Sequence, residues 1–390
     1  MDSERAGQIA RMLAASEEAR EHGLESFSVE GALGPDAAPL RPGDLLGLVD
    51  ANLSRPPEVG VADWEKARTA LLKHADGALS KLAGKDHGLA ADEGAAMEAL
   101  IIADGSRPSF LLCDGAVDPA DRFMGTWGGA VATAEASGIK RLAAAVGRIQ
   151  PRDGHASRYV GTGSLVDREK GLILTNYHVI AMAKQLFQVG MRQEGGVIHV
   201  EGHLEIDFAG ESCSLRTNRF RIVEVLLPAG VGEGFGGLDV VVARLEMPAD
   251  RSALPAAVPV LSADPAYAGG ALETLAVVGF PAAPETRDGR DVDWNFVLRT
   301  LFANRFGVKR LAPGRFSRAL GSHPRDASMR RAIGHDATTF GGASGALVAA
   351  WLDQQTPCFA IHFGGATQAA NYALSFAVAN TALQPLGVGF

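Results

Sequence analysis

Residues 171–179 read Gly171-Leu-Ile-Leu-Thr-Asn-Tyr-His-Val179, an apolar run of β-forming residues that ends at Thr175-Asn176. A run of this length bounded by glycine is typical of a short buried strand. His178 follows directly, so we expect it at the rim of the sheet to which the strand belongs. The fold prediction then depends on whether the neighbouring sequence also consists of short β-forming runs separated by turn residues.

Short β-type runs separated by Gly and Pro continue from about residue 155 to the C-terminus. No long helical pattern interrupts them, which is typical of an antiparallel barrel or sandwich. The runs are 159–160, 172–174, 197–200, 220–227, 239–245, 275–280, 296–301, 347–351, 358–363 and 372–376, followed by a short helix at 380–385. The sequence therefore predicts a mainly β architecture for residues 151–390.

Two further segments carry residues suited to acyl transfer. Asp239 begins the otherwise apolar run Asp239-Val-Val-Val-Ala-Arg-Leu245, and Ser344 lies in Thr338-Thr-Phe-Gly-Gly-Ala-Ser-Gly-Ala-Leu347. A serine hydroxyl becomes a nucleophile beside an imidazole, and the imidazole needs a carboxylate that fixes its tautomer. A buried carboxylate is costly unless it is hydrogen-bonded, and a histidine N–H is a suitable donor. His178, Asp239 and Ser344 are therefore the predicted catalytic residues.

The glycines around the serine predict an oxyanion hole. Gly341, Gly342 and Gly345 let the chain turn sharply on both sides of Ser344. Such a turn exposes backbone N–H groups, and acyl transfer needs N–H groups aimed at the developing oxyanion. We expect the N–H groups of Gly342 and Ser344 to have this role.

Each of these features has a simpler interpretation when taken alone. A glycine-rich serine turn is usually only a turn, a histidine after a strand is more often structural, and an aspartate at a strand start is often a cap. Asp207 competes with Asp239, but the alternation of Leu204-Glu-Ile-Asp-Phe208 predicts that Glu205 and Asp207 face solvent. The joint occurrence in the order His, Asp, Ser favours catalysis. The other histidines without a defensible partner spacing, interpreted as structural or exposed, are His199, His203, His323 and His335.

The three motifs together resemble those of the trypsin-like serine peptidases, especially the bacterial branch that includes glutamyl endopeptidases and Htr-type proteases. Leu174-Thr-Asn-Tyr-His-Val179 is similar to the family's histidine motif, residues 239–245 to its aspartate strand, and Gly342-Ala-Ser-Gly345 to its nucleophile turn. The resemblance covers residues 145–388. It implies two antiparallel six-stranded β-barrels of the chymotrypsin type, the first carrying His178 and Asp239 and the second Ser344.

One position departs from the family's digestive members. In those enzymes an aspartate precedes the serine and pairs with a newly cut N-terminus, whereas this chain has Ala343. Activation by that salt bridge is therefore not available to this protein.

The resemblance also implies a substrate-binding surface. Thr338 and Thr339 would line the pocket for the side chain before the scissile bond, and His362, Phe363 and Gly364 would form the opposite wall and pair with the substrate backbone. Glutamyl endopeptidases are similar in placing a histidine and a threonine here, which leads to the hypothesis of an acidic P1 preference. The alternative is that His362 is structural and the pocket takes small or apolar side chains.

Composition limits the other classes of function. A net charge of −8 argues against a nucleic-acid binder, and no window approaches the roughly 18 apolar residues of a membrane span. The three cysteines, Cys113, Cys213 and Cys358, have neither disulfide-frame nor zinc-ligand spacing. Because no secretory signal is recognisable, a reduced, cytoplasmic protein is expected. Acyl transfer by a serine needs neither a metal nor a cofactor, so none is expected.

The N-terminal sequence differs from the rest. Residues 1–105 have helical periodicity, in helices predicted at 5–21, from Asp63 onwards and at 92–102, with a Pro-rich loop at 35–42. Residues 106–150 are interpreted as a connecting segment with a strand at 110–113 and a helix at 128–146. The N-terminal region is a candidate for regulation or for binding a regulatory protein, or it simply packs on the barrels.

The function prediction is a serine endopeptidase acting on proteins or peptides. Two alternatives are weaker. A catalytically silent peptide-binding module would have no need of all three catalytic residues. An esterase of the α/β-hydrolase type would show a Gly-x-Ser-x-Gly elbow, which is missing.

Overall fold

The computed structural model describes residues 60–83, 107–118, 138–262, 274–282, 305–318, 330–335, 337–339, 341–351, 356–366 and 370–390, with positions 55, 121, 127–129, 131 and 132. Contacts divide the chain into two compact units, one of residues 1–108, 284–305 and 366–369, the other of residues 109–283, 306–365 and 370–390. The helices and strands predicted at 5–21, 92–102 and 296–301 and the loop at 35–42 lie outside the described residues.

Four α-helices are described. They are α1 (Val61–Ala83), α2 (Ile139–Ala145), α3 (Tyr177–Phe187) and α4 (Phe376–Leu383). The helix predicted around Asp63 is confirmed as α1, which belongs to the first unit and buries Trp64, Leu71 and Ala75. The helix predicted at 128–146 is wrong at both ends, because the left-handed Gly138 precedes α2, which begins at Ile139, and the chain enters a strand at Val146.

Seventeen strands are described, all in the second unit apart from the last residue of β16. They are β1 (Phe110–Cys113), β2 (Ala116–Val117), β3 (Val146–Pro151), β4 (Gly161–Asp167), β5 (Leu172–Thr175), β6 (Met191–Glu194), β7 (Val197–Val200), β8 (Leu204–Asp207), β9 (Arg219–Leu226), β10 (Val241–Leu245), β11 (Leu275–Gly279), β12 (Arg310–Gly314), β13 (Phe316–Arg318), β14 (Ala332–His335), β15 (Leu347–Ala350), β16 (Cys358–Ala366) and β17 (Ala370–Ser375). The predicted mainly β architecture is confirmed, and the strands predicted at 172–174, 197–200, 220–227, 239–245, 275–280, 347–351, 358–363 and 372–376 shift by at most three residues. The run at 159–160 is wrong as a strand, because β4 begins at Gly161, and the strands without a predicted counterpart are β2, β3, β6, β12, β13 and β14. The last helix begins at Phe376 and not at residue 380.

The first barrel closes through hydrogen bonds alone. Its strands follow the order β10-β5-β4-β3-β8-β9, and β9 pairs back with β10. The hairpin β6–β7 extends from β9. All pairings are antiparallel, and buried apolar side chains such as Ile149, Leu165, Ile173 and Val225 supply the core. This barrel is the first of the two that the sequence predicts.

The second barrel closes through a bent strand. The order β13-β14-β17-β16-β15-β11-β12 begins and ends on segments of the chain that only Arg315 separates. Counting β12 and β13 as one strand gives a ring of six, in agreement with the predicted architecture. Gly314 stands at the bend, where a Cβ atom would lie 2.6 Å from the backbone N of Ala337. The strands β1 and β2 add to the outer edge of β12.

Buried polar side chains join the two barrels. The Lys309 ammonium donates to the carbonyl oxygens of Ala143 and Phe208, both at 2.7 Å. Burial lowers the pKa of Lys309 to about 8. A disulfide between Cys113 and Cys213 links β1 to the loop after β8. The prediction that the cysteines form no disulfide is therefore wrong for this pair, whereas Cys358 is free and buried.

The predicted solvent face of β8 is also wrong. Glu205 is 6% and Asp207 1% exposed. Gln150 donates to Glu205, and Arg219 forms ion pairs with both carboxylates. Polar partners, rather than water, satisfy this side of the strand. None of the described helices is both long and apolar enough to cross a membrane.

Candidate active site

The end of β5 places His178. The strand stops at Thr175, Asn176 occupies the N-cap position, and α3 begins at Tyr177, so His178 lies in the first turn of the helix. Its neighbours Val179 and Ile180 are buried and anchor this turn. The His178 side chain itself is 20% exposed, so one edge of the imidazole is open to the cleft.

Asp239 is held by several N–H donors. Its Oδ2 lies 2.7 Å from His178 Nδ1 and accepts the backbone N–H of Gly234 at 2.7 Å. Its Oδ1 accepts the backbone N–H of His178 at 3.1 Å. Asn176 donates from Nδ2 to the carbonyl oxygen of Asp239 at 2.6 Å, which fixes the backbone. These bonds make burial of the carboxylate tolerable at 1% exposure.

The carboxylate decides the tautomer of His178. A carboxylate only accepts hydrogen bonds, so the proton of His178 must be on Nδ1. Nε2 then carries a lone pair, which is the state that a general base needs.

The turn around Ser344 has the backbone geometry that the glycines predict. Gly342 and Gly345 have φ angles of +88° and +90°, which side-chain-bearing residues rarely adopt. A Cβ atom at Gly342 would lie 2.5 Å from the carbonyl oxygen of Phe280. In the described part of the chain, the N–H groups of Gly342 and Ser344 have no hydrogen-bond acceptor.

Strand β4 of the first barrel holds this turn beside α3. Thr162 donates from its backbone N–H to the carbonyl oxygen of Ser344 and from Oγ1 to that of Gly342, both at 2.8 Å. A Cβ atom at Gly161 would lie 2.7 Å from Val179 and 3.0 Å from the Ser344 carbonyl oxygen. Gly161 therefore lies between the Ser344 backbone and Val179, the residue after His178. No hydrogen bond joins the side chains of Ser344 and His178 among the described residues, which is common before substrate binds.

Strand β16 lies directly against the serine turn. The N–H of Gly345 donates to the His362 carbonyl oxygen at 2.9 Å, and the N–H of His362 donates to that of Ala346 at 2.8 Å. A Cβ atom at Gly364 would meet no described atom within 4 Å, so the face of β16 is open at this position. The side chain of His362 is buried and hydrogen-bonded to His335. His335 is buried too, so of the two alternatives given for it, structural or exposed, the exposed one is wrong.

The two predicted pocket threonines precede the serine turn. Both are half-buried, and the Thr339 hydroxyl is buried without a hydrogen-bond partner among the described residues. An unpaired buried hydroxyl is costly and is often satisfied by a ligand or water.

An open pocket of about 780 Å³ adjoins His178. It is bordered by Met182 and Gln185 of α3, by the loop with Gly234 and Phe235, and by Phe363. Phe235 packs edge-on against Phe363 with ring centroids 5.2 Å apart. The pocket is large enough for a peptide side chain, and its lining mixes apolar residues with polar ones such as Gln185 and Glu233.

Sequence reasoning missed four residues of this site, namely Asn176, Gly234, Phe235 and His335. The run Ala229-Gly-Val-Gly-Glu-Gly-Phe-Gly-Gly237 is the sequence signal for Gly234 and Phe235. So many glycines just before an aspartate indicate that backbone N–H groups can approach its carboxylate.

A metal was not expected at the site. Among the described residues, the one group of metal-binding side chains close enough to share an ion is Cys113, Asp114 and Cys213, and its two sulfurs are bonded to each other. The expectation that the protein needs no metal or cofactor stays a prediction.

Two antiparallel six-stranded barrels with a hydrogen-bonded His–Asp pair on the first and a serine in a glycine-rich turn on the second are the arrangement of the chymotrypsin-type serine peptidases. The family model described as "Trypsin-like peptidase domain" matches residues 161–355. A "probable serine protease" of Lysobacter enzymogenes is 59% identical over 391 residues, which cover 100% of both chains. The chain therefore belongs to the trypsin-like serine peptidases, and it is an enzyme of that class.

A solved structure was also found, with less similarity. The crystal structure of the "Rv3671c protease, inactive form" is 16% identical, with a TM-score of 0.35, covering 64% of this chain and 92% of that one.

Proposed function

We propose that the protein is a serine endopeptidase that hydrolyses peptide bonds through an acyl-enzyme, with Ser344 as nucleophile, His178 as general base and Asp239 as orienting carboxylate. The observation that carries this proposal is the 2.7 Å bond between His178 Nδ1 and Asp239 Oδ2, reinforced by the Gly234 N–H. A surface histidine has no need of a fully buried carboxylate with three N–H donors.

Acylation follows from this arrangement. Ser344 Oγ attacks the carbonyl carbon of the scissile bond, and its proton passes to His178 Nε2. The imidazolium that forms is stabilised by the ionised Asp239. The N–H groups of Gly342 and Ser344 donate to the oxyanion of the tetrahedral intermediate. As the C–N bond breaks, His178 returns the proton to the leaving amine.

Deacylation reverses the same steps with water. His178 takes a proton from the water that attacks the ester carbonyl, and the second tetrahedral intermediate again uses the N–H groups of Gly342 and Ser344. The ester C–O bond breaks, Ser344 recovers its proton from His178, and the carboxylic acid product leaves. These steps require no redox or metal partner.

The substrate is proposed to bind as an added strand with an acidic residue at P1. The register of β16 with β15 ends at Ile361, and β16 continues through Phe363 and Gly364, so this side of the strand is proposed to pair with the backbone of an extended peptide. Two backbone hydrogen bonds join His362 to the serine turn. The buried Thr339 hydroxyl has no hydrogen-bond partner among the described residues. An imidazole N–H and a hydroxyl would bind a carboxylate without burying a second full charge.

Two further parts of the proposal concern regulation and location. Residues 1–105 precede the matched peptidase region and are proposed to regulate access to it, alone or with a protein partner. The disulfide favours an oxidising compartment over the expected cytoplasm, because cytosolic thiols are kept reduced.

The test compares the protein with its Ser344→Ala variant. Each digests a peptide mixture derived from a proteome, and mass spectrometry identifies the products. Alanine keeps the backbone N–H of position 344, so the variant isolates the nucleophile. We expect cleavage by the wild type alone, with Glu or Asp before the cut sites.

Other outcomes have distinct meanings. Equal cleavage by both proteins would contradict Ser344 as nucleophile. Serine-dependent cleavage with no acidic residue at P1 would contradict the specificity alone. If neither protein cleaves, a variant that lacks residues 1–105 is digested in the same way, and activity gained there supports regulation by this region.

A further inference from the structure

Two buried histidines on separate strands of the second barrel contact each other. His335 ends β14 and His362 lies in β16, on the two sides of β17 in the sheet. His335 Nε2 and His362 Nδ1 are 3.2 Å apart, and the ring centroids are 5.3 Å apart at an angle of 66°. The rings are 0% and 3% exposed. Such a pair is costly unless each nitrogen has a defined state.

The outer nitrogens of the pair differ. His335 Nδ1 is buried and has no hydrogen-bond partner among the described residues. His362 Nδ1 is taken by the contact with His335, which leaves Nε2 as the ring nitrogen that can bind a ligand. The backbone of His362 is bonded to Gly345 and Ala346 of the serine turn, so the pair has one buried end at His335 and one end that adjoins this turn.

Only one of the two bonded nitrogens carries a hydrogen, so there are two arrangements. If His362 Nδ1 donates, His335 must carry its hydrogen on Nδ1, where a buried donor has no acceptor, and His362 Nε2 is a lone pair. If His335 Nε2 donates, the unpartnered His335 Nδ1 carries only a lone pair, and His362 carries its hydrogen on Nε2. Buried acceptors are left without partners more often than buried donors, which favours the second arrangement.

We propose that His335 is a positioning residue for substrate specificity, which holds His362 in the Nε2–H tautomer so that this nitrogen donates to the carboxylate of an acidic P1 side chain. The inference rests on the acidic P1 preference proposed above. In the opposite tautomer, the lone pair of His362 would face the carboxylate and repel it.

The pair binds as neutral rings. Burial lowers the pKa of His362 to about 3 and the pKa of His335 well below its usual value. Neither ring is protonated at neutral pH, so the hydrogen on Nε2 is determined by the tautomer and not by a positive charge. A neutral imidazole without His335 would distribute its hydrogen between both nitrogens.

The activity test uses His335→Phe and His335→Gln with two peptides that differ only in Glu or Ala at P1. Phenylalanine fills the space but cannot donate, whereas a glutamine N–H can replace His335 Nε2–H. We expect the ratio of kcat/KM for Glu over Ala to fall about 10- to 100-fold in His335→Phe and to be largely retained in His335→Gln. His199→Phe, a matched change on β7 of the first barrel, should leave the ratio unchanged.

A retained ratio in a folded His335→Phe protein would overturn the proposal while leaving the P1 preference intact. A wild type without any preference for Glu would overturn the specificity and, with it, the role of His335. The two failures are therefore distinguished by the wild-type ratio.

A second measurement on the wild type needs no variant and no activity. Nitrogen-15 NMR of the histidine side chains distinguishes a protonated from an unprotonated ring nitrogen. We expect His362 to show a protonated Nε2 and an acceptor Nδ1, and His335 to show a protonated Nε2. A protonated Nδ1 on His362 would overturn the proposal.

Discussion

The two barrels contribute to the candidate active site by different physical means. The first supplies charged and aromatic side chains, with Asp239 1% exposed and bonded to three N–H groups. The second supplies backbone, because Gly342 and Gly345 with φ near +90° shape the turn that carries Ser344. The part of the site on the first barrel depends on specific side chains. The part on the second barrel depends on glycines, because a Cβ atom at these positions would not fit the turn.

This difference teaches where each half tolerates change. In the first barrel, an isosteric substitution that alters only charge or donor pattern should be severe. In the second, adding a single methyl group should be severe even though no charge changes. Contacts between the barrels hold the two halves in position relative to each other; they are made by Thr162, Lys309 and the disulfide.

Replacing Asp239 with Asn tests the side-chain half most directly. The amide has nearly the shape of the carboxylate, but its NH2 group cannot accept from His178 Nδ1 and favours the wrong tautomer. We expect kcat to fall about 10⁴-fold with the fold intact. The measurement is steady-state hydrolysis of a peptide, with Asp250→Asn as control, because Asp250 is exposed and bonded only locally to Ser252. A loss below 10-fold would contradict the role of Asp239.

Removing the disulfide tests how far the halves depend on each other. The bond closes a loop with a sequence separation of 100 between Cys113 on the second barrel and Cys213 on the first. Closing a loop of that length stabilises the folded state by up to about 4–5 kcal/mol in the chain-entropy estimate. We expect the Cys113→Ser/Cys213→Ser variant to lose several kcal/mol in urea unfolding.

Reduction provides the control for the disulfide prediction. Wild type treated with a thiol reductant should unfold at the same urea concentration as the double serine variant. If the wild type unfolds identically with and without reductant, the bond does not couple the barrels energetically.

Gly342→Ala tests the backbone half. The new Cβ atom would lie 2.5 Å from the Phe280 carbonyl oxygen and 2.6 Å from the Tyr159 hydroxyl, at a φ of +88°. The turn must shift, so the oxyanion donors move. We expect kcat to fall about 10²- to 10³-fold, as for loss of one oxyanion donor. Gly341→Ala, where a Cβ atom meets nothing within 4 Å, should retain activity; equal losses in both variants would count against this account.

The sequence predicted what depends on short segments. Short apolar runs predicted strands such as β5, β7, β9 and β10 to within two residues, and the glycines at 342 and 345 indicated a sharp turn, which has positive φ. The motif around His178 placed that residue just beyond a strand, but the helix α3 in whose first turn it lies was not predicted. The catalytic roles of these residues stay a prediction that the variants above test.

The sequence could not predict contacts between distant segments. Cys113 and Cys213 are 100 residues apart and meet only because β1 joins the second barrel next to the loop after β8. Asp207 was placed in solvent because alternation assumes one wet face, whereas Arg148 and Arg219 cover that face. The bond between His335 and His362 spans 27 residues and a strand between them, so no spacing rule could indicate it.

The buried histidine pair predicts a pH dependence of stability that arises in the second barrel. The folded-state pKa values of His335 and His362 are both lowered. The unfolded chain therefore binds protons below about pH 6.5 that the folded chain does not, and the free energy of unfolding falls as pH drops from 7 towards 4. Protonation of His362 alone accounts for a loss on the order of 2 kcal/mol at pH 5, because its folded-state pKa is about 3. In urea unfolding at pH 7 and pH 5, His335→Gln should lose less stability than wild type, with His199→Gln on the first barrel as the control variant. An unchanged loss in His335→Gln would mean that His335 is protonated or exposed in solution, and the second half of the site would then be less dry than its 0% exposure indicates.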